Sequence, residues 1–295
     1  MKVAIVAIAK LENLYLKEWV DYHLNLGFDR IIICDNNDED GERVFDVIKN
    51  RNVTIRGYIG KTITQSEVYK EIYKEFRGFY DWILFIDIDE FLVLNGFSNV
   101  KDYLSLGIFK DFDVIRICWD MYTDSNMLDV VDGDYSVMSR FKERVNTKEH
   151  KGIYNQPYTK CFVKTSLYSD TMKIINHNVL NIKHKECDCN GDVSCGYQSL
   201  KDYVYGMARI NHYMTKTIGE FLRQKFFRGG INHNPHRYQN MDYFFFINEY
   251  TDEKMDYALK VIKKLLSERG EEDIYNKIEV AFNKRRDRYK RISST

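Results

Sequence analysis

The sequence predicts an α/β fold, and three features of the chain support that prediction. Apolar strand-like runs alternate with segments of helical periodicity through the first half of the 295 residues, which is typical of βαβ units around a mostly parallel sheet. Hydrophobic residues make up 44% and charged residues 30% of the chain, values typical of a globular protein with a buried core. From about residue 199 the pattern becomes helical. We therefore expect an α/β core followed by a helical C-terminal part.

The predicted elements follow one another along the chain. The strands are expected at 3–9, 28–35, 52–59, 82–87, 112–120 and 158–165, and the first helices at 14–27, about 41–50 and 65–76. Helical segments are expected again at 199–213, 217–230, 241–268 and 271–290. The first four strands end in or beside polar residues, at Ala9, Asp35, Ile59 and Asp87. Ligands of open α/β sheets bind at this carboxyl edge, so we expect a site there.

Composition argues against several classes of protein. Lys plus Arg equals Asp plus Glu at 44 each, so the chain lacks the basic excess of a nucleic-acid-binding protein. No apolar run reaches the roughly 18 residues of a membrane span, and the first apolar run reads as a strand rather than a signal peptide. Six cysteines are too few for a disulfide scaffold of this length, which favours a reducing cytoplasm.

Carboxylates interrupt the apolar run WILFIDIDEFLVL at residues 82–94. Asp-x-Asp occurs four times in the chain, but only Asp87 and Asp89 follow directly on an apolar strand. Period-two alternation predicts that these two lie on one face of an extended chain, with Ile88 on the other. Neighbouring carboxylates repel each other unless a cation lies between them, which indicates Mg²⁺ or Mn²⁺. The alternative is a rigid core network in which Arg or Lys pairs with the acids.

Two classes of enzyme place such a pair after an apolar strand. Phosphohydrolases of the haloacid-dehalogenase type use the first Asp as a nucleophile, but their motif has Thr or Val where this chain has Phe91. Glycosyltransferases of the GT-A type use the pair to bind the metal that holds a nucleotide-sugar diphosphate. The position of the pair after an N-terminal half rich in βα units favours the second class.

Several segments, in order, resemble the glycosyltransferase family 92 and family 2-like group. They are AKLENLYLKEWVDYHLNLGFDRIIICDNND at 9–38, Gln65, DWILFIDIDEFLVL at 81–94 and INHYMTKTIGEFLRQKFFRGG at 210–230. The chain departs from the pattern at Leu11-Glu12, at Thr217 and in WDMYTDSN, and the last departure concerns the acceptor site. The resemblance implies a GT-A fold, with a mixed sheet flanked by helices and a helical C-terminal extension.

The resemblance also implies an activity and a domain layout. The expected reaction is metal-dependent, inverting transfer of a hexose, with UDP-galactose as the first choice of donor, to a glycan of a surface polysaccharide or lipopolysaccharide. The expected core is 1–195, with a nucleotide-sugar half at about 1–95 and an acceptor half at about 96–195, and residues 196–295 complete the site. A haloacid-dehalogenase-like phosphohydrolase, or a non-catalytic protein of the same fold that binds sugar nucleotides or glycans, is the alternative.

Candidate site residues follow from this layout. The expected donor-binding residues are Ala9, Lys10, Glu12, Asp35, Asn37, Gln65, Ile88, Lys216, Lys225 and Arg228. The expected metal ligands are Asp87, Asp89 and His212, with His177 and His184 as rivals for the third position and Glu90 orienting a ligand. Asp120 is the candidate base that deprotonates the acceptor, and Asp124, Asp134 and Glu143 are its alternatives.

Two further segments have open interpretations. His184, Cys187, Cys189 and Cys195 form a cluster whose C-x-C spacing departs from ordinary zinc sites, so loop thiols and a structural zinc are both open. The basic segment NKRRDRYKRI near the C-terminus reads as a solvated helix end or as a contact with an anionic membrane. A lipid-linked glycan acceptor at the inner face of the membrane would fit the second interpretation.

Overall fold

The computed structural model describes residues 1–145, 157–175, 178–193, 200–228 and 241–294. The chain divides into two units: Met1–Asp120 with Gln156–His212, and Met121–Asn155 with Tyr213–Thr295. The sequence analysis placed a single boundary at residue 195. In the structure the strand that follows residue 199 still belongs to the first unit, and residues 121–155 belong to the second.

The strands described for the first unit form one mixed sheet and a separate two-stranded sheet. They are β1 (Val3–Ala9), β2 (Arg30–Asp35), β3 (Val53–Gly57), β4 (Trp82–Phe85), β5 (Glu90–Leu94), β6 (Val114–Met121), β7 (Thr159–Lys164), β8 (Lys173–Ile174), β9 (Val179–Leu180), β10 (Glu186–Asp188) and β11 (Ala208–His212). The main sheet has the order β3-β2-β1-β4-β7-β6-β11-β5, with β10 beside β6, and β8 pairs with β9.

The first half of this sheet is parallel and the second half contains antiparallel pairs. β1 pairs in parallel with β2 and with β4, and β2 pairs in parallel with β3. β7 runs antiparallel between β4 and β6, and β5 runs antiparallel to β11. The register aligns Ala9 with Asp35 and Asp35 with Gly57, so these strand ends meet at one edge. The predicted mixed sheet flanked by helices is confirmed.

Helices connect the parallel strands, as predicted. In the first unit they are α1 (Asn13–Asn25), α2 (Val44–Val47), α3 (Gln65–Phe76) and α4 (Val100–Leu104). α3 has the predicted bounds and begins with a capping box between Thr64 and Glu67. After α1, Gly27 adopts φ +96°, a conformation that other residues rarely take, and a Cβ there would overlap the Asn99 side chain.

Side chains of helix α1 form hydrogen bonds along one edge of strand β5. The Trp19 indole donates to the Glu90 carbonyl at 2.7 Å, and the Tyr22 hydroxyl donates to the Leu92 carbonyl at 2.7 Å. The Leu92 amide donates to His23 Nε2 at 3.3 Å, and His23 Nδ1 lies 2.8 Å from the Trp19 carbonyl, so the proton belongs on Nδ1. Side chains of one helix thus satisfy backbone groups that an edge strand would otherwise expose.

The second unit is predominantly helical, as predicted for the C-terminal part. Its helices are α5 (Val137–Arg140), α6 (Ile218–Phe221), α7 (Met241–Ile247), α8 (Asp252–Glu268) and α9 (Tyr275–Ser293), with a π-helical turn at Leu222–Phe226 after α6. Apolar faces of α6, α7, α8 and α9 form its core. A buried ion pair between Lys254 and Asp124, 2.8 Å long, ties α8 to the segment after β6.

Two predictions about elements are wrong. The segment 199–213 was expected to be helical, but its end forms strand β11, because each residue from Ala208 to His212 pairs with β5. Tertiary pairing overrides the local helical pattern there. The helix expected over about 41–50 is shorter, since α2 covers only Val44–Val47.

We expect His23 to make the protein less stable in mild acid. Burial lowers the pKa of His23 to about 3, whereas the pKa in the unfolded chain is about 6.5. The unfolded state therefore takes up the proton first, so stability present above about pH 6.5 is lost as the pH falls, by about 1.4 kcal/mol per pH unit from this group. Urea unfolding of the wild type and of His23→Gln between about pH 4.5 and 7 should show a shallower pH slope in the variant.

His184 provides the matched control for this prediction. Its hydrogen bond with Glu186 raises the pKa of His184, the opposite direction from His23. The His184→Gln variant should therefore keep the wild-type loss of stability with acid that His23 causes. Equal pH slopes in the wild type and His23→Gln would contradict the assignment.

Candidate functional site

The acids of the sequence motif lie in a tight turn between β4 and β5. β4 ends at Phe85, β5 begins at Glu90, and the Glu90 amide donates to the Asp87 carbonyl at 3.1 Å. The prediction that Asp87 and Asp89 share one face of an extended chain is therefore wrong. The turn directs the two side chains to different partners, and Ile88 between them is buried.

Asp87 is held by a lysine and an amide. Lys160 Nζ lies 2.7 Å from Asp87 Oδ2, and Gln65 Nε2 donates to Asp87 Oδ1 at 3.1 Å. Gln65 is the first residue of α3 and also donates to the Tyr69 hydroxyl at 2.9 Å. One third of the Asp87 side chain (33%) is exposed, so this acid remains accessible from solvent.

Glu90 is fully buried in the same cluster. Its Oε2 accepts a hydrogen bond from the Asp87 amide at 2.9 Å and lies 3.4 Å from Lys160 Nζ. Burial raises the pKa of Glu90 well above its usual range, although the positive charge of Lys160 opposes the rise. The Glu90 side chain therefore bonds to the backbone of the turn from its buried side.

Lys160 was not predicted as a site residue. It lies on β7, between β4 and β6, and its side chain is fully buried. Burial alone would lower the pKa of Lys160, but the carboxylates of Asp87 and Glu90 outweigh that effect and raise it, so the ammonium group keeps its charge. The sequence did indicate such a residue, because Lys160 lies within the strand-like segment YTKCFVKT. A lysine that is buried in a strand needs an acidic partner to offset the cost of burying its charge.

Asp89 lies beside His212. His212 ends β11 directly opposite Glu90, and its Nε2 is 3.6 Å from Asp89 Oδ1 and 3.8 Å from Glu90 Oε1. The Trp119 ring packs on the imidazole with ring centroids 4.3 Å apart, and Lys160 Nζ lies 5.7 Å from the centre of the same ring. The structure thus brings together the acids and the histidine that the sequence suggested.

The rival histidines lie elsewhere or outside the described residues. His184 pairs with Glu186 at 3.3 Å, and His177 falls outside the described residues. Within the described ranges, no group of three or more His, Cys, Asp or Glu side chains is arranged to hold a metal ion. The metal role of Asp87, Asp89 and His212 stays a prediction.

The donor-binding candidates after β1 lie at the carboxyl edge of the sheet. Ala9 is buried and pairs with Asp35 on β2. Lys10 forms a 2.6 Å ion pair with Asp38, and the buried Glu12 caps the start of α1, where its carbonyl accepts the Tyr15 amide at 2.9 Å. These positions agree with the predicted edge, while contact with a donor stays a prediction.

Asp35 and Asn37 build the turn after β2. Asp35 Oδ1 accepts from the Asn37 side chain at 2.8 Å, and Asp35 Oδ2 accepts from the Val44 amide at 2.9 Å. Asn37 Oδ1 in turn accepts from the Leu11 amide at 2.9 Å. These bonds indicate that both residues shape the backbone of the edge.

The candidate base Asp120 is buried at the end of β6. Arg209 Nε lies 3.2 Å from Asp120 Oδ2, so an arginine of β11 faces this acid. Of the alternatives, Asp124 pairs with Lys254, and burial raises the pKa of Asp124.

The two remaining base candidates are exposed or structural. Asp134 Oδ1 accepts from the Ser136 amide at 2.9 Å, and the carbonyl of the exposed Glu143 accepts from the Thr123 amide at 2.9 Å. Asp120 is thus the candidate that lies in the same unit as Asp87 and Asp89.

The basic donor candidates belong to the second unit. Lys216 is buried, adopts φ +52° and donates to Gln224 Oε1 at 3.2 Å. Lys225 lies in the π-helical turn and Arg228 follows it, and both are partly exposed. Their predicted contact with the diphosphate stays a prediction.

The described cysteines do not form a zinc cluster. Cys187 and Cys189 are buried free thiols, and Cys187 Sγ contacts the Val114 carbonyl. Burial raises the pKa of both thiols, which disfavours the thiolate that zinc needs. Cys195 lies outside the described residues.

The chain belongs to glycosyltransferase family 92. The model of that family matches residues 72–241, more than half of the chain, and the matched segment contains the Asp87–Glu90 turn, Lys160 and His212. Family membership removes the haloacid-dehalogenase alternative. The resemblance stated from the sequence is therefore confirmed.

Plant proteins are among the relatives. The chain is 30% identical over 228 residues to a glycosyltransferase family 92 protein of Arabidopsis thaliana, which covers 72% of this chain and 35% of that protein. A family 92 protein of Ricinus communis is 30% identical over 103 residues, covering 34% of this chain and 19% of that protein. This chain therefore corresponds to a minor part of the length of each relative.

Solved structures of a Staphylococcus aureus protein, TarS, are similar at a low level. TarS 1–349 in complex with UDP aligns with a TM-score of 0.37 and 15% identity, over 57% of this chain and 48% of that one. TarS aligns with a TM-score of 0.39 and 12% identity, over 100% of this chain and 55% of that one.

Among the described residues, no helix combines the length and the apolar character that crossing a membrane requires.

We expect the Asp35→Ala variant to be less stable than the wild type by about 2 kcal/mol, because it removes the hydrogen bonds of a buried carboxylate to Asn37 and to the Val44 amide. Thermal unfolding should show a lower Tm by roughly 4–8 °C. Asp38→Ala is the control, since its ion pair with Lys10 is exposed and should cost less than about 1 kcal/mol. Equal Tm values for the two variants would contradict the structural role of Asp35.

Proposed function

We propose that this protein transfers a hexose from a nucleotide sugar to a hydroxyl group of a glycan. The observation that carries the proposal is the convergence of Asp87, Asp89, Glu90 and His212 at the end of β4, in a chain that belongs to glycosyltransferase family 92. A buried acidic cluster at the carboxyl edge of a sheet suits a ligand that bears phosphates and a divalent cation.

The proposed cation would lie between two donor atoms at this place, and its binding would have to bring in the other ligands, since the described residues form no three-ligand group by themselves. Asp89 Oδ1 and His212 Nε2 face each other at 3.6 Å, too far for a hydrogen bond but close enough for both atoms to approach one ion. Glu90 Oε1 is buried and accepts no hydrogen bond from the described residues. Asp87, Asp89 and His212 would hold Mn²⁺ or Mg²⁺, and phosphate oxygens would complete the coordination.

The cation would neutralise the negative charge that grows on the departing nucleoside diphosphate. The chain's own residues would do the rest. Gln65 and Lys160 would orient Asp87, and the edge residues Ala9, Lys10, Glu12 and Ile88 would line the donor. Asp35 and Asn37 would hold the backbone of that edge in shape.

Asp120 is the proposed base for the acceptor hydroxyl. A base must accept the hydroxyl proton while that oxygen attacks the anomeric carbon from the side opposite the leaving group, so the reaction would invert the configuration. Asp120 lies in the same unit as the Asp87–Glu90 turn, and Arg209 holds its carboxylate in place. The accepted proton would then leave to solvent.

We also propose a specific donor sugar, a class of acceptor and a location for the enzyme. UDP-galactose is the proposed donor. The proposed acceptor is a glycan, which is lipid-linked if the enzyme acts at the cytoplasmic face of a membrane. Ion pairs of α9, such as Arg288 with Asp242 at 3.5 Å and Lys290 with Asp252 at 3.2 Å, neutralise part of its basic surface. Attraction of this helix to anionic lipids would therefore be weaker than its composition suggests.

We expect Asp89→Asn to reduce sugar transfer by roughly 100-fold or more and to abolish the rise in Tm that Mn²⁺ produces in the wild type. The carboxylate is a proposed ligand, and the amide that replaces it carries no charge. The measurements are transfer from UDP-hexoses and thermal unfolding with and without Mn²⁺.

Two variants serve as controls for this experiment. Asp111→Asn changes the exposed first residue of another Asp-x-Asp pair and should behave as the wild type. Asp120→Asn should lose transfer but keep the Mn²⁺ effect, since the proposed base does not hold the cation. Full activity of Asp89→Asn, or of the wild type in EDTA, would overturn the metal assignment.

We further expect UDP-galactose to raise the Tm of the wild type by roughly 5–10 °C in the presence of Mn²⁺ at a concentration well above its Kd. A thermal-shift screen of nucleotide sugars, each with Mn²⁺ and with EDTA, checks this expectation. Stabilisation without any release or transfer of sugar would favour the non-catalytic alternative. Stabilisation by another donor would replace galactose in the proposal.

A further inference from the structure

We propose that Lys160 is a positioning residue whose buried ammonium group holds the Asp87 and Glu90 carboxylates together, so that the Asp87–Glu90 turn is ordered before any cation or donor binds. Its Nζ lies 2.7 Å from Asp87 and 3.4 Å from Glu90. It thus contacts both ends of the turn at once.

The sheet fixes the position of this ammonium group. Lys160 pairs with Ile117 on β6, and the next residue, Cys161, pairs with Phe85 at the end of β4. The lysine side chain is fully buried and lies near the face of Trp119. A lysine on a central strand has little freedom to move, so its charge acts as a fixed part of the fold.

The positive charge of Lys160 compensates the two acidic side chains of the Asp87–Glu90 turn. Asp87 and Glu90 are brought close by a direct bond, since the Asp87 amide donates to Glu90 Oε2 at 2.9 Å. Both acidic side chains lie beside the Lys160 ammonium group, so without it their negative charges would repel each other and the buried Glu90 would lose its partner, which is strongly destabilising. Lys160 supplies that cation permanently.

Lys160 should also affect the binding of a divalent ion, and this second expectation rests on the proposed function. Because Lys160 contacts Asp87 Oδ2 and lies beside Glu90, an incoming divalent ion would meet Asp89, His212 and the exposed part of Asp87. Removing the ammonium charge makes the cluster more negative, which should strengthen the binding of a divalent ion by the donor-free protein. A residue that only fills space would weaken such binding or leave it unchanged.

The test uses the full chain with Lys160→Met and, as a matched control, Lys164→Met on the same strand. Lys164 Nζ donates to the Lys110 carbonyl at an exposed position. In EDTA we expect Lys160→Met to lower the Tm by roughly 10 °C and Lys164→Met by no more than about 2 °C. Calorimetric titration with Mn²⁺ should show a Kd that is roughly tenfold lower for Lys160→Met than for the wild type.

A double variant keeps the test decisive if Lys160→Met fails to fold. Lys160→Met with Glu90→Gln removes one positive and one negative charge, so it should regain part of the lost Tm if the two groups are coupled. Additive losses, a double variant that also fails to fold, or equal Tm values for Lys160→Met and Lys164→Met would each overturn the inference. So would weaker Mn²⁺ binding by a folded Lys160→Met protein.

Failure of the proposed function gives a different result. If the wild type does not bind Mn²⁺, the metal assignment of Asp89 and His212 fails. The melting temperatures in EDTA involve neither metal nor donor, so they still decide whether Lys160 orders the turn.

Discussion

The buried ion pairs between Lys160 and the carboxylates of Asp87 and Glu90 are the interaction on which the candidate site depends. Acids at the end of an apolar strand would be costly to bury, and the loss of one partner of such a pair costs about 3–5 kcal/mol. A central strand supplies the lysine, so the sheet itself compensates the acids. The geometry of the turn is therefore a property of the fold and does not have to be created by the ligand.

The backbone of the turn is supported from the opposite side by helix α1. Trp19, Tyr22 and His23 bond to the outer edge of β5, the strand that begins with Glu90, while β11 pairs with its inner edge and places His212 beside Asp89. Two neighbouring elements thus fix one strand from both sides. This explains why a neutral, buried histidine in α1 has a role although it lies outside the cluster.

Local patterns in the sequence predicted most of the fold and only part of the site. Strands β1 to β4 and helix α3 carry clear hydrophobic periodicity, and the structure places them within a few residues of the prediction. β11 was missed because its strand character comes from pairing with β5, a contact more than a hundred residues away in sequence. Lys160 was missed for the same reason, since the partner that makes a lysine in an apolar strand tolerable is visible only once β4 and β7 are adjacent.

Polar residues at strand ends illustrate a limit of the same kind. The rule that ligands bind at the carboxyl edge selects Asp35 and Asn37 as readily as Asp87 and Asp89, because all four follow buried strands. Only the contacts separate them: the oxygens of Asp35 bond to neighbouring residues of the chain, whereas Asp87 keeps an exposed face and Asp89 faces a histidine across a gap. A carboxylate saturated by backbone amides has little capacity left for a ligand. The distribution of hydrogen bonds, more than the residue type, therefore distinguishes the acids that shape the edge from those able to do chemistry there.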